Sequence, residues 1–569
     1  MFPAPDATPS LSKIDRMNVS RVVLCAVLGG IAVLAACTSA RAADEFTPPR
    51  ISVVQPDWGA AMADLPSRTA SADANAVAIR RLDALNEAIG SRFPNIAAST
   101  VPVLLPMDVE AYLRDRDADA ALDTNHYLSG FRATPFFLAG PSGYDAMFEL
   151  RPGATRELSD LRSSEPVFVG ITAASRLVEL PAPRGVENLP GHGLDKEFPG
   201  LRRFIIENHM RFSFERYGVT YVVSILCFDG PARGRRVSCK DADRVGKAFL
   251  RALRFAGGTP QTIEQTSQTV ERPKDESPAF TFHAPGEILP RTGVRGQGGV
   301  PDHTVYAKIR FPMEVTPAYV NSQSFMHWGN CNMTGRVGSR GTKGASYRCR
   351  VNSKPLVFDE SAQENYSYPW RDNFCEHRSF YVGQCPAGFG HQGQDIRPAE
   401  CNLRKPDSDR CQPYGQTIVA ARSGMILRPD KQDGLVLVTN ATDGLLRFRY
   451  IHMNPRKLDA DSMTNGRMIR EGEIVGQVGN YSRYEGATTV HLHFEIMVPT
   501  RDGFVRVNPY ATLIASYEQL IGARGKQIEA PTAEAVPAPA AEQAEPEKPA
   551  AKQKIRKSDR KRGKKKRRH

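Results

Sequence analysis

Val490-His491-Leu492-His493-Phe494-Glu495-Ile496 reads as one extended strand. Residues i and i+2 of a strand share a face. His491, His493 and Glu495 therefore project one way, and Leu492 and Phe494 project toward a buried face. About a hundred residues earlier stands His391-Gln392-Gly393-Gln394-Asp395. His391 and Asp395 flank a glycine in a loop-like segment, which lets the chain fold back so that both reach one ion. Two His and one carboxylate make a three-ligand zinc set with a fourth position left for water. That is the pattern of a catalytic rather than a structural site. One His of the three remains over, beside that water. For Glu495, a hydrogen bond to a ligand His and plain solvent exposure are both open.

The text between the two motifs narrows the reading. Tyr414-Gly415-Gln416-Thr417-Ile418-Val419-Ala420-Ala421, Arg449-Tyr450-Ile451-His452-Met453, Val475-Gly476-Gln477-Val478-Gly479-Asn480 and Val507-Asn508-Pro509-Tyr510 follow in order. Together with HxxxD before and HxH near the end, they resemble the LytM-type, lysostaphin-like zinc peptidases of family M23, which cut peptidoglycan peptides. The resemblance runs over residues 305–520. It implies a largely antiparallel β fold, with His391, Asp395 and His493 as zinc ligands. It implies His491 as the general base on the attacking water. It implies His452 as the second catalytic His, which would stabilise the oxyanion or protonate the leaving amine. The physics agrees with that division. Zinc lowers the pKa of bound water to about 7. A neutral His of ordinary pKa, about 6.5, accepts and returns a proton near neutrality. A cationic His452 would favour an anionic intermediate. One departure stands out: Trp370–Gly390 is longer than the family's short Phe-Gly-x-Arg loop, so peptide specificity is not inherited. Cys385–Phe389 reads as a groove wall. His303, His327 and His377 read as ordinary surface or core residues.

At 569 residues the chain exceeds one domain, and 41% hydrophobic content is ample for globular cores. The net charge of +13 misleads if read globally. Ala551–His569 holds twelve Lys or Arg against one Asp, so the body is nearly neutral and the tail is a basic appendage. Such a run can signal nucleic-acid binding. Behind an export signal it reads instead as a contact for anionic envelope polymers or lipids, or as a solvated tail, and no nucleic-acid partner is expected.

The export signal is the apolar run Val22–Ala36, about 15 residues long, too short for a membrane span of about 20. Lys13, Arg16 and Arg21 precede it and Ala40-Arg41-Ala42 follows. This reads as a signal peptide cleaved after Ala42. A second reading uses Leu34-Ala35-Ala36-Cys37, which resembles a bacterial lipobox and would have Cys37 lipidated. Either reading places the protein outside the cytoplasm, in the periplasm or envelope. Eight cysteines follow, in four sequence-near pairs: Cys227 with Cys239, Cys331 with Cys349, Cys375 with Cys385, and Cys401 with Cys411. In an exported chain these read as local disulfides, although eight cysteines allow 105 pairings. The absence of CxxC spacing argues against a zinc knuckle.

The expected organisation is multidomain. Residues 1–42 are the signal and 43–75 a flexible segment. Residues 76–258 form an N-terminal mixed α/β (α+β) domain of unknown role. Residues 259–304 are a linker rich in Thr, Gln, Glu, Pro and Gly. Residues 305–522 form the mainly antiparallel β, LytM-like peptidase domain. Residues 523–550 are an Ala/Pro-rich disordered linker, and 551–569 the basic tail. In the N-terminal domain, 76–89 and 241–255 read as helices, the second with Asp241 as N-cap. Strands are expected at 101–105, 135–138, 146–150, 167–171, 204–206, 211–214 and 220–228. The expected function is a zinc metalloendopeptidase acting on peptidoglycan peptides. The alternative is a LytM-like envelope regulator, latent or non-catalytic, that activates another cell-wall hydrolase.

Overall fold

A computed structural model describes residues 46–65, 74–117, 126–228 apart from 157, 162 and 192, 237–263, 269–286, 301–314, 318–320, 350–351, 354–355, 370–398 apart from 377–379 and 387, and 412–528. The expected signal with Cys37, the basic tail, His327 and His377 lie outside the described residues. So do Cys331, Cys349, Cys401 and Cys411, and with them two of the four expected disulfides. All elements below belong to the unit Thr47–His569.

The expected first helix forms as α1, Ala74–Ile89, and buries Leu82, Leu85 and Ile89 at helical spacing. Seven strands then make an antiparallel sheet: β1 Phe131–Gly140, β2 Gly143–Leu150, β3 Val167–Ala174, β4 Glu187–Leu189, β5 Arg202–Ile206, β6 His209–Arg216 and β7 Val219–Leu226. Their order is β1-β2-β3-β7-β6-β5-β4. A second helix, α2 Cys239–Ala252, lies on this sheet, with Phe249 edge-on to Phe131 at 4.8 Å. Its cap is Ser238 rather than Asp241, because the Ser238 hydroxyl accepts from the Asp241 amide at 3.0 Å. Asp241 sits in the first turn instead, where a carboxylate suits the positive helix end. The Cys227–Cys239 disulfide ties the end of β7 to the start of α2.

Eight strands make the second sheet: β8 Ala318–Val320, β9 Gln394–Pro398, β10 Gly424–Leu427, β11 Leu435–Ala441, β12 Gly444–Ile451, β13 Met468–Ile469, β14 Leu492–Thr500 and β15 Gly503–Val507. The order is β8-β9-β14-β12-β11-β10-β13, with β15 also on β14, and every pair is antiparallel. The architecture is thus a mixed α/β N-terminal region followed by an antiparallel-sheet-rich region. Strand β14 is central, and Leu492 to Pro499 are all buried. Its alternation separates polar from apolar surroundings, not solvent from core.

The two sheets pack face to face. Phe136, Ala174 and Leu177 from the first side meet Val438, Leu445, Met497 and Phe504 from the second. Polar contacts key this apolar layer. Arg447 holds the buried Asp145 carboxylate at 2.6 Å, and Arg211 donates to the carbonyls of Asp502 and Phe504 at 2.7 Å each. The two Nη groups of the buried Arg211 are matched this way, which lowers the cost of burying its charge, while its Nε meets no acceptor among the described residues.

Two expected linkers need correction. Within 259–304, Glu276–His283 is a strand, paired in parallel with Arg524–Ile528, itself in the stretch expected to be disordered. The reason is aromatic burial: Phe280 packs on Trp370 and Tyr517, each at 4.9 Å between ring centres. Polar composition masked two inward aromatics. Among the described residues no helix is long and apolar enough to cross a membrane.

Candidate metal centre

Strand register does the first half of the assembly. Asp395 of β9 stands directly across from His493 of β14. Facing residues on paired strands present their side chains to one another. Gly393 makes this pairing close. A side-chain carbon there would lie 2.2 Å from the Phe494 carbonyl oxygen. His391 arrives from the preceding loop, held by its amide on the Glu376 carbonyl at 2.7 Å and by its own carbonyl on the Cys375 amide at 3.0 Å. The Cys375–Cys385 disulfide closes that loop.

His391, Asp395 and His493 converge, all buried. His391 Nε2 lies 3.0 Å from His493 Nδ1 and 3.2 Å from Asp395 Oδ1, which is 3.0 Å from His493 Nδ1. The far nitrogens fix the tautomers. His391 Nδ1 faces the Asn373 carbonyl at 2.9 Å, and a carbonyl only accepts, so that nitrogen carries the proton. His493 Nε2 faces the Glu495 carboxylate at 3.1 Å and donates to it. With both imidazoles neutral, three lone pairs would point at one another. Asp395 Oδ2 is also buried and meets no hydrogen-bond donor among the described residues. Such an arrangement suits a cation. Ligands about 2.0–2.1 Å from a tetrahedral zinc stand about 3.3 Å apart, close to the spacing here.

The other two His flank the cluster. His491 Nε2 is 3.5 Å from Asp395 Oδ1, and the His452 ring lies 4.5 Å from the His491 ring. Their Nδ1 atoms donate to the carbonyls of Thr489 and Tyr481, each at 2.7 Å, so both Nε2 lone pairs are free to accept. The Gly479–Tyr481 turn knits the pair together: the His491 amide donates to Gly479 at 3.1 Å, and the Tyr481 amide to His452 at 3.3 Å. His452 has φ of +77°, a strained left-handed conformation for a non-glycine residue. Burial, and then the neighbouring His493, pushes the His452 imidazole down to about 4. Burial thus favours the neutral form of His452. Burial, against the pull of Asp395, holds His491 well below the ordinary imidazole range.

Residues 409–509 match the model of Peptidase family M23. That stretch is similar to the M23 peptidases. It contains His452, His491 and His493, while the 391–395 motif precedes it. Two solved structures are similar over part of the chain. One is a LytM from Ruminococcus gnavus assigned as a glycyl-glycine endopeptidase, with 21% identity and a TM-score of 0.17, covering 25% of this chain and 50% of its own. The other is the antimicrobial peptidase lysostaphin from Staphylococcus simulans, with 19% identity and a TM-score of 0.16, covering 30% and 57%. The chain thus spans about half the length of these solved structures. No curated protein matches it.

Behind His493 the second sheet carries a buried charge network that sequence reasoning missed. Glu495 is fully buried, which decides between the two readings of that residue. Besides His493, it accepts from Arg449 at 3.0 Å and from Arg506 at 2.7 Å. Burial opposes its ionisation, but Arg506 and Arg449 outweigh that and hold the carboxyl well below its usual range. It is an anion that orients His493. The available signal was Arg506 itself, one charge within the apolar strand Gly503–Val507.

Proposed function

We propose that the chain is an exported zinc metalloendopeptidase that hydrolyses peptide bonds in bacterial peptidoglycan. The observation that supports this most is the convergence of His391 Nε2, Asp395 Oδ1 and His493 Nδ1 within 3.0–3.2 Å of one another. A zinc ion held by these three atoms would supply a Lewis acid that polarises the scissile carbonyl and makes water nucleophilic near neutrality. The chain's own residues do the proton work. His491 accepts the water's proton on Nε2 while its Nδ1–H stays on Thr489, and delivers it to the leaving amine. His452, its Nδ1–H on the Tyr481 carbonyl, would face the developing negative charge once solvent water protonates its Nε2. The disulfides Cys227–Cys239 and Cys375–Cys385 support an oxidising compartment outside the cytoplasm.

The test pairs metal analysis with digestion. The full chain, purified from an oxidising compartment, is measured for zinc per chain and incubated with peptidoglycan, the products being resolved by mass. About one zinc with new peptide termini, absent with His491→Ala, supports the proposal and names the bond. Zinc without cleavage points to a latent form or to another polymer. No zinc overturns the catalytic reading and favours the regulator that activates another hydrolase.

A further inference from the structure

Glu207 belongs to the first sheet, yet its carboxylate reaches the back of the metal cluster. It sits on the two-residue turn Glu207-Asn208 between β5 and β6, with φ of +51° and +60°. Two positive φ values mark a turn class that favours Asn and Gly, and Glu is poorly suited to its first position. The side chain is buried, with the residue 6% exposed. Its two oxygens serve different elements. Oε2 accepts from Arg506 Nη1 at 2.6 Å, and Arg506 Nε in turn holds Glu495, the partner of His493. Oε1 accepts from the Gly383 amide at 3.3 Å, inside the disulfide-closed loop that leads to His391. Arg184 braces the same loop, its amide on the Gly383 carbonyl at 2.8 Å.

We propose that Glu207 is a positioning residue for the metal cluster, one carboxylate that sets the spacing between the strand carrying His493 and the loop carrying His391. The N-terminal region is then part of the centre's construction. This rests on the zinc reading above. With Glu207 neutral, Arg506 keeps a single carboxylate partner and turns fully to Glu495, while the loop loses an anchor. His493 and His391 then lose their fixed separation.

The experiment uses the full chain and its Glu207→Gln, Glu207→Asp and Ser213→Ala variants. Ser213 donates to the Arg501 carbonyl at 2.7 Å across the same contact between sheets, with no bond to Glu207, Arg506 or Glu495 among those described. The zinc dissociation constant is read by competition with a chromophoric chelator, and apo-protein stability by denaturant midpoint. Glu207→Gln is expected to weaken zinc binding about tenfold, the lower end of what losing an outer-shell partner costs. Glu207→Asp restores most of it. Ser213→Ala lowers the midpoint and leaves the zinc constant unchanged. Equal zinc constants for wild type and Glu207→Gln overturn the inference and leave the zinc reading standing, as does equal weakening by Ser213→Ala. A wild-type chain that takes up no zinc sinks the zinc reading and this inference with it. Should Glu207→Gln not fold, Glu207→Met takes its place, with Arg506 keeping Glu495 as its carboxylate partner. Weaker zinc binding by that variant supports the inference, and an unchanged zinc constant overturns it.

Discussion

Asp395 and His493 sit opposite each other across the β9–β14 pair, with Asp395 Oδ1 3.0 Å from His493 Nδ1. Two of the three converging atoms are thereby set by backbone register, and His391 closes the set from a loop. A one-residue slip of β9 would turn Asp395 to the other face. The geometry of the cluster is a property of the sheet before it is a property of the side chains.

Gly393→Ala tests that dependence. The added carbon would lie 2.2 Å from the Phe494 carbonyl oxygen, so the strands must part. The variant is expected to lose at least tenfold in zinc affinity, with overpacking costing about 1–3 kcal/mol of stability. Chelator competition and a denaturant midpoint read the two effects separately. Wild-type zinc affinity would show that register is not what aligns the pair.

Glu495→Gln removes a fully buried anion held by two guanidiniums. Breaking such a network costs about 3–5 kcal/mol because charges remain buried without their partner. Zinc affinity should fall about 10–100-fold as His493 loses its orienting carboxylate. Calorimetric unfolding and zinc titration report the two numbers.

Reduction of Cys375–Cys385 should loosen the approach to His391. Closing a loop of this size stabilises by about 2–3 kcal/mol in the chain-entropy account. A paired Cys375→Ser, Cys385→Ser variant is expected to keep its circular dichroism spectrum but bind zinc more weakly. Hydrogen exchange at the amides of Val382 and Gly390 should rise, since both donate within the loop.

Acid stability should carry the mark of His209. Burial, then Arg211, pushes its imidazole down to about 3, with Arg506 and Arg447 adding to the effect. The unfolded chain therefore binds a proton that the fold refuses. Stability is fully present above about pH 6.5 and falls as pH drops toward 3. The limiting slope is about 1.4 kcal/mol per pH unit; His209 is partly open to solvent, so the observed slope is smaller. His209→Gln should flatten the fall in denaturant midpoint between about pH 6.5 and about pH 5.

Local signals are readable in the sequence and distant ones are not. Strand parity in 490–496 aligns His491 and His493, and helical spacing marks α1 and α2. Near pairing of cysteines matches Cys227–Cys239 and Cys375–Cys385, the two disulfides among the described residues. The same rule joins Cys331 to Cys349 and Cys401 to Cys411, and there the structure offers no check, because all four lie outside the described residues. The helix cap differs from its expected place by three residues because Ser238 and Asp241 both suit a helix start, and only the hydrogen bond separates them. Glu276–His283 escapes a sequence reading because two inward phenylalanines are too few to mark a strand in a polar stretch. The charge relay from Glu495 through Arg506 to Glu207 is invisible for a different reason. Its last link joins residues 299 apart, and no local pattern encodes a partner at that distance.

That separation also bears on how the protein comes into being. A chain emerging from its N-terminus presents Glu207 long before Arg506, and His391 long before His493. Neither pair can form until nearly the whole described chain is out, and the entropy of closing such long loops is met only then. Partial chains, whether stalled or still in transit, carry the pieces of the candidate metal centre without its geometry. The order of synthesis makes the centre one of the last features of the molecule to assemble.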